Sequence, residues 1–165
     1  MEFTGIYTPA ITPLDDQGQI DWDGFATVLD HLVGAGVDGI IIGGTTGEYY
    51  AHSTEERLES LKRAKEVVGS RATMIGGTGT IRTEDSVAFA EAIAGMGYDA
   101  LLVTTPPYAQ PTPRENALHA LAIDRAANLP IMLYNYPGRM AAEMSEEYLD
   151  RVGRSPNFCA IKESS

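Results

Sequence analysis

Lys162 lies near the C-terminal end of the sequence, directly after the apolar residues Ala160 and Ile161. These neighbours predict a strand that is buried on both faces, where a charged amine is costly. Burial would lower the pKa of the amine from about 10.4 towards ~7 to 8, and a neutral amine can attack a carbonyl carbon to form an imine. The competing interpretation is a lysine whose amine reaches solvent from the end of a strand. The first interpretation makes Lys162 a candidate nucleophile.

Tyr134 lies in the segment LYNYPGR, residues 133–139, which we expect to form the strand next to that of Lys162. A phenol with a pKa near 10 both donates and accepts hydrogen bonds at pH 7, so it can move protons while an imine forms. A core tyrosine is the alternative, but proximity to Lys162 favours the acid–base role. Arg139 follows in the loop, where its guanidinium suits a substrate carboxylate, although such an arginine is more often simply solvated.

Residues 43–48 read GGTTGE and predict a turn between a strand and a helix. Glycines such as Gly44 allow the backbone to approach a ligand closely, and successive N–H groups can converge on an anion. The hydroxyls of Thr45 and Thr46 add hydrogen bonds, and Thr46 can also relay a proton between tyrosines. A purely structural turn is the alternative. A third interpretation, a phosphate cradle in an unrelated barrel, is weaker because barrel phosphate sites usually form after the last strands.

Short apolar runs that start about every 30 residues must position these side chains, because a strand, a helix and two short loops need about that length. Six strands are predicted, at residues 6–12, 39–44, 73–78, 100–105, 131–136 and 159–163. Five helices between them have candidate N-terminal caps at Asp21, Ser53, Thr83, Thr112 and Ser145. This alternation predicts a parallel sheet in a single α/β domain.

Two architectures fit such a repeat, an open doubly wound sheet and a closed eight-stranded barrel. The glycine-rich segments match neither a dinucleotide-binding fingerprint nor a Walker A pattern. Polar residues instead follow the carboxyl ends of several strands, where barrel enzymes build their sites. The sequence therefore predicts a (β/α)8 TIM barrel, of which the 165 residues cover about the first six βα units.

Composition limits the partners. The net charge of −11 repels nucleic acid and anionic membranes, and no run of about 18 apolar residues predicts a membrane span. A single cysteine, Cys159, excludes an internal disulfide and fits a cytoplasmic protein. One cysteine and three histidines form no metal-ligand pattern, so no metal is expected.

Four motifs in this order resemble the family of dihydrodipicolinate synthase and N-acetylneuraminate lyase, whose members are imine-forming barrel enzymes. The motifs are Gly44-Thr45-Thr46-Gly47-Glu48, Pro106-Pro107-Tyr108, Tyr134-Asn135-Tyr136-Pro137 with Arg139, and Ile161-Lys162-Glu163. The resemblance extends over the whole chain and is strongest to members similar to dihydrodipicolinate synthase.

The resemblance implies a class I lyase or aldolase that condenses or cleaves pyruvate or a related 2-oxo acid. Lys162 would form the covalent imine, so that no separate cofactor is needed, and Tyr134 would act as its acid–base residue. Thr45 and Thr46 would hold the carboxylate of the 2-oxo acid. Thr46 would also join Tyr134 and Tyr108 in a proton relay.

The family likeness also implies assembly and specificity. Tyr108 would reach into the site of a neighbouring subunit, which implies a homotetramer built as a dimer of dimers. Arg139 would fix the aldehyde substrate, as in the synthase branch. The tail from Lys162 to Ser165 is closer to dehydratases or deaminases that act on 2-oxo-3-deoxy sugar acids or hydroxyproline-derived imino acids, so these branches stay open.

A closed barrel needs about 250 residues, so the 165-residue chain is expected to lack the last two strands and the C-terminal helices. Its first and sixth strands would then have unpaired edges, which favour aggregation. We expect the isolated polypeptide to be inactive or aggregation-prone. An inactive fragment or pseudoenzyme that serves as an assembly partner is the alternative function.

Overall fold

The computed structural model describes residues 2–165 and contains one six-stranded parallel sheet in the order β1-β2-β3-β4-β5-β6. The strands are β1 (Tyr7–Pro9), β2 (Gly39–Ile42), β3 (Thr73–Gly77), β4 (Ala100–Thr104), β5 (Ile131–Asn135) and β6 (Phe158–Glu163). The α-helices are α1 (Trp22–Gly34), α2 (Thr54–Val68), α3 (Thr83–Gly95), α4 (Pro113–Ala127), α5 (Pro137–Met140) and α6 (Glu146–Val152). Two 3-10 turns, Thr45–Gly47 and Tyr49–Ala51, lie between β2 and α2. The six predicted strands are confirmed, with shorter ends.

Side chains on the two faces of the sheet form two apolar layers. The larger layer joins the strands to the helices, and the smaller one fills the concave side of the sheet with Ile41, Ile75, Leu102, Met132 and Tyr134. Strands β2, β4 and β5 are buried at every position, as their continuous apolar sequences predict. The sheet is therefore a curved half-barrel with helices on its outer side.

Strand β6 differs from this pattern. Its residues alternate between partly buried and exposed, and Ile161 is 48% exposed. The prediction that the strand of Lys162 is buried on both faces is therefore wrong for β6. Among the described residues this strand pairs only with β5, and β1 pairs only with β2, so both strands lie at sheet edges.

The helix starts follow from side-chain caps. Ser53 and Thr112 form capping boxes with Glu56 and Glu115, and Asp21 and Ser145 also accept a bond from the first turn of their helices, as predicted. Thr83 is not a cap. It is the first residue of α3, and its hydroxyl lies 3.0 Å from Nδ1 of His119 on α4, so this oxygen joins two helices instead. No helix within residues 2–165 combines the length and the apolar character needed to cross a membrane.

Candidate active site

Three polar side chains follow one another across the carboxyl ends of neighbouring strands. Thr104 on β4 is in register with Tyr134 on β5, which is in register with Lys162 on β6. Tyr134 belongs to the concave apolar layer, and the alternation of side chains along a strand places all three on that side. The polar cluster predicted at this end of the sheet is thus confirmed for these residues.

Lys162 and Tyr134 are in direct contact, with the lysine Nζ 3.4 Å from the centroid of the tyrosine ring. Burial alone would raise the pKa of the Tyr134 phenol. Lys162, as hydrogen-bond donor and as positive charge, together with the hydroxyls of Thr45 and Ser164, outweighs burial and lowers this pKa below 10. The phenol therefore loses its proton more readily here than in an ordinary buried tyrosine, which suits a group that accepts and returns a proton.

The glycine-rich turn approaches this pair from β2. Gly43 has a left-handed φ of 73°, and a Cβ on Gly77 of β3 would overlap the Gly43 carbonyl oxygen, so both positions require glycine. Gly44 is buried behind the turn. Thr45 has a buried hydroxyl that makes no hydrogen bond of regular geometry, although it lies close enough to lower the pKa of Tyr134.

Thr46, by contrast, is exposed and does not contribute to the pKa of Tyr134. The sequence placed the relay hydroxyl at Thr46, whereas the structure brings Thr45 to Tyr134. The 3-10 turn explains the difference, because consecutive residues point in different directions along it.

Arg139 lies at the mouth of the site, in a cleft of about 370 Å³ whose other lining residues include Thr45 and Pro107. Its guanidinium carbon is 5.5 Å from the centroid of the Tyr136 ring. Hydrogen bonding to the hydroxyls of Tyr136 and Tyr50 raises the pKa of Arg139. The guanidinium is exposed and faces the cleft, as a carboxylate-binding residue must.

Tyr108 is not brought to the other site residues within this chain. It is 88% exposed and has a left-handed φ of 69°, which an aromatic residue rarely adopts. The loop therefore projects this ring into solvent.

Two residues that sequence reasoning did not assign to the site help to build it. Asn135, next to Tyr134, donates from Nδ2 to both carboxylate oxygens of Glu163 at 2.9 and 3.2 Å, and its Oδ1 accepts the backbone N–H of Met144 at 3.1 Å. The hydroxyl of Ser164 contributes to the lowered pKa of Tyr134. The signal for Asn135 was available, since an amide inside an apolar strand needs partners.

A curved parallel sheet with helices outside and a lysine–tyrosine pair at the carboxyl ends of its strands defines a (β/α)-barrel protein with its site in the usual place. The model of the dihydrodipicolinate synthetase family matches residues 2–165. The chain therefore belongs to this family.

Relatives and solved structures agree with this assignment. The 4-hydroxy-tetrahydrodipicolinate synthase of Bacillus subtilis (strain 168) is 37% identical over 166 residues, which cover 100% of this chain and 57% of that protein. The structure of dihydrodipicolinate synthase from Acinetobacter baumannii complexed with pyruvate superposes with a TM-score of 0.91 at 33% identity, covering 96% of this chain and 54% of the other. The structure of a prophage protein of the same family from E. coli K12, in complex with pyruvate, superposes with a TM-score of 0.93 at 28% identity. This match covers 98% of this chain and 54% of the other. The chain thus spans little more than half the length of the relatives it matches.

Proposed function

We propose that the intact protein is a class I lyase or aldolase that binds pyruvate or a related 2-oxo acid as an imine on Lys162. The observation that carries this proposal is the contact between the Lys162 amine and the Tyr134 ring on adjacent strands in register. Pyruvate is present in the complexes of two family members with similar structures. No cofactor is required, because the lysine itself supplies the covalent link.

The chemistry requires a balanced set of proton transfers. The neutral Lys162 amine attacks the C2 carbonyl, whose oxygen takes a first proton from Tyr134. The phenolate takes a proton back from the nitrogen and passes it to the new hydroxyl group, which leaves as water to give the protonated imine. Loss of a proton from C3 then gives an enamine, which adds to the carbonyl carbon of a second substrate, and cleavage follows the reverse path. Each step needs a group near the nitrogen that both donates and accepts a proton. The lowered pKa of Tyr134 suits this task.

Thr45 is the residue we assign to the proton relay, since its buried hydroxyl lies by Tyr134. Tyr108 would complete the relay from a neighbouring subunit, which agrees with its 88% exposure and its strained backbone. We therefore propose a homotetramer, a dimer of dimers in the cytoplasm, as the active form. The backbone of Gly44 and the hydroxyls of Thr45 and Thr46 would bind the carboxylate of the 2-oxo acid.

A dehydratase or deaminase of the same family is the second candidate. Ser164 favours it, because a hydroxyl beside Tyr134 adds a further proton-carrying group at the imine. Such a group suits the loss of water or ammonia from a sugar-acid or imino-acid substrate. Comparison of aspartate semialdehyde plus pyruvate with 2-oxo-3-deoxy acids and hydroxyproline-derived imino acids separates the two candidates.

Borohydride reduction in the presence of pyruvate tests the imine directly in the intact protein. The reduced adduct is expected on Lys162 by peptide mass spectrometry, and Lys162→Ala should abolish it. Lys65→Ala is a matched control, because Lys65 is also partly buried and its Nζ lies 5.9 Å from the ring centroid of Tyr98, far from the site. An adduct that forms on another lysine, or no adduct at all, would contradict the proposal.

A further inference from the structure

Tyr50 has no part in the imine chemistry, yet it lines the cleft at the mouth of the site. It lies in the short 3-10 turn Tyr49–Ala51, which follows Glu48 with its left-handed backbone, and 60% of its surface is exposed. It shares the 370 Å³ cleft with Arg139. A large aromatic side chain with an open hydroxyl beside a guanidinium is well placed to contact a ligand in the cleft.

The ring of Tyr50 is supported from behind. It meets the buried ring of Tyr49 edge to face, with centroids 5.8 Å apart and an angle of 75° between the planes. Tyr49 in turn stacks on Arg57, whose guanidinium carbon lies 5.0 Å from the Tyr49 ring and 3.9 Å from that of Phe89. Because this stack begins in the core, it limits the directions in which Tyr50 can move.

Tyr50 and Arg139 line the same cleft, and the phenol of Tyr50 lies close enough to the guanidinium to affect its pKa. Hydrogen bonding to this phenol is one cause of the raised pKa of Arg139, after that of Tyr136. Within the described residues no carboxylate lies within ion-pair distance of Arg139. The guanidinium has five donors, more than the two neighbouring phenols could use, so donors remain for a ligand.

We propose that Tyr50 is a specificity-determining residue, and that its hydroxyl and the Arg139 guanidinium together recognise the carboxylate of the second substrate. This inference rests on the proposed function. The phenol donates one hydrogen bond to a carboxylate oxygen while the guanidinium donates to the other oxygen, which fixes the orientation of the acid at the mouth of the cleft. The ring of Tyr50 also forms an outer wall that limits the length of the second substrate.

A pair of aldehydes with the same shape and different charge tests the inference in the intact protein. Aspartate semialdehyde carries the carboxylate, and its carboxamide counterpart carries an uncharged amide group in the same place. For Tyr50→Phe we expect kcat/KM for the acid to fall on the order of tenfold, the loss of one hydrogen bond to a charged group, mainly through KM. The value for the amide should stay unchanged. Tyr50→Ala should in addition accept longer aldehydes.

Leu118→Ala is the control, because Leu118 is 54% exposed on the outer helix α4 and should change neither value. Equal losses for the acid and the amide in Tyr50→Phe, or no loss for either, would overturn the inference. So would an unsubstituted protein that forms the pyruvate adduct but uses neither aldehyde. Absence of the adduct on Lys162 in the unsubstituted protein would instead refute the proposed function, which makes the two failures distinguishable.

Discussion

Two asparagines bind strand β6 at its opposite ends. Their substitution allows an effect on protein stability to be distinguished from an effect on imine formation at Lys162. Asn135 binds Glu163 and the backbone of Met144 at the end that carries Lys162. Asn157 precedes the other end, where its Nδ2 donates to Oδ1 of Asp124 at 2.7 Å. Replacement of each asparagine by leucine keeps a similar volume and removes these bonds.

Both substitutions should lower the free energy of unfolding by similar amounts. In Asn135→Leu the Met144 N–H loses its acceptor in a buried position, which costs about 1–3 kcal/mol. In Asn157→Leu the Asp124 carboxylate, 7% exposed, loses a donor, which costs about 1–3 kcal/mol by the same reasoning.

Their effects on imine formation should differ. Without the Asn135 side chain, the Glu163 side chain loses its bonds to β5, and only the backbone pairing with β5 holds the end of β6 beside Lys162. This end should therefore be held less precisely. Misplacement by about 1 Å reduces rates up to about a hundredfold, so we expect the trapping rate to fall on the order of ten- to a hundredfold in Asn135→Leu. Asn157→Leu should trap pyruvate at nearly the unsubstituted rate, because its bonds lie at the far end of the strand.

The assay measures, in the intact protein, the initial rate of borohydride trapping with pyruvate, and unfolding by denaturant under the same conditions. Equal trapping rates in the two variants at equal loss of stability would refute the idea that Asn135 positions the lysine. An Asn135→Leu variant with lost stability and full trapping rate would refute it too.

Two further predictions concern the fold. Burial lowers the pKa of His119 to about 4, so between about pH 6.5 and 4 the unfolded state binds a proton that the folded state does not. The free energy of unfolding therefore decreases as the pH is lowered through this range, by at most about 3 kcal/mol. Denaturation curves at several pH values should show this loss in the unsubstituted protein and in the exposed-residue control His31→Gln, but not in His119→Gln. Gly77→Ala should lower the free energy of unfolding by about 3 kcal/mol or more and slow pyruvate trapping, because the new Cβ meets the Gly43 backbone. Gly34→Ala, which has open space around the new Cβ, should change neither the denaturation curve nor the trapping rate.

Much of the fold could be predicted because its signals are local. Continuous apolar runs identify strands β2, β4 and β5, and the capping boxes at Ser53 and Thr112 identify the starts of α2 and α4. The proximity of Tyr134 to Lys162 also follows, since the carboxyl ends of neighbouring parallel strands lie at the same edge of the sheet.

The features that were missed depend on tertiary contacts. Thr83 is a residue type that often caps helices, but its hydroxyl is hydrogen-bonded to His119, which lies 36 residues away in the sequence. The direction of Thr45 and Thr46 depends on the 3-10 turn, which the sequence pattern did not specify. The partial exposure of β6 depends on which segments cover it, and this cannot be read from an apolar run.

The contrast between Tyr134 and Lys162 shows how the site is organised. Tyr134 lies on a strand that is paired on both sides and is 4% exposed, so its side chain is already held by the fold. Lys162 lies on a strand paired on one side, beside Ile161, which is 48% exposed and lines an open groove of about 450 Å³ on the helix side. A segment that packs into this groove would bury Ile161 and hold β6 in place. The position of the Lys162 backbone therefore depends on what packs against β6, whereas the position of Tyr134 is already set by two neighbouring strands.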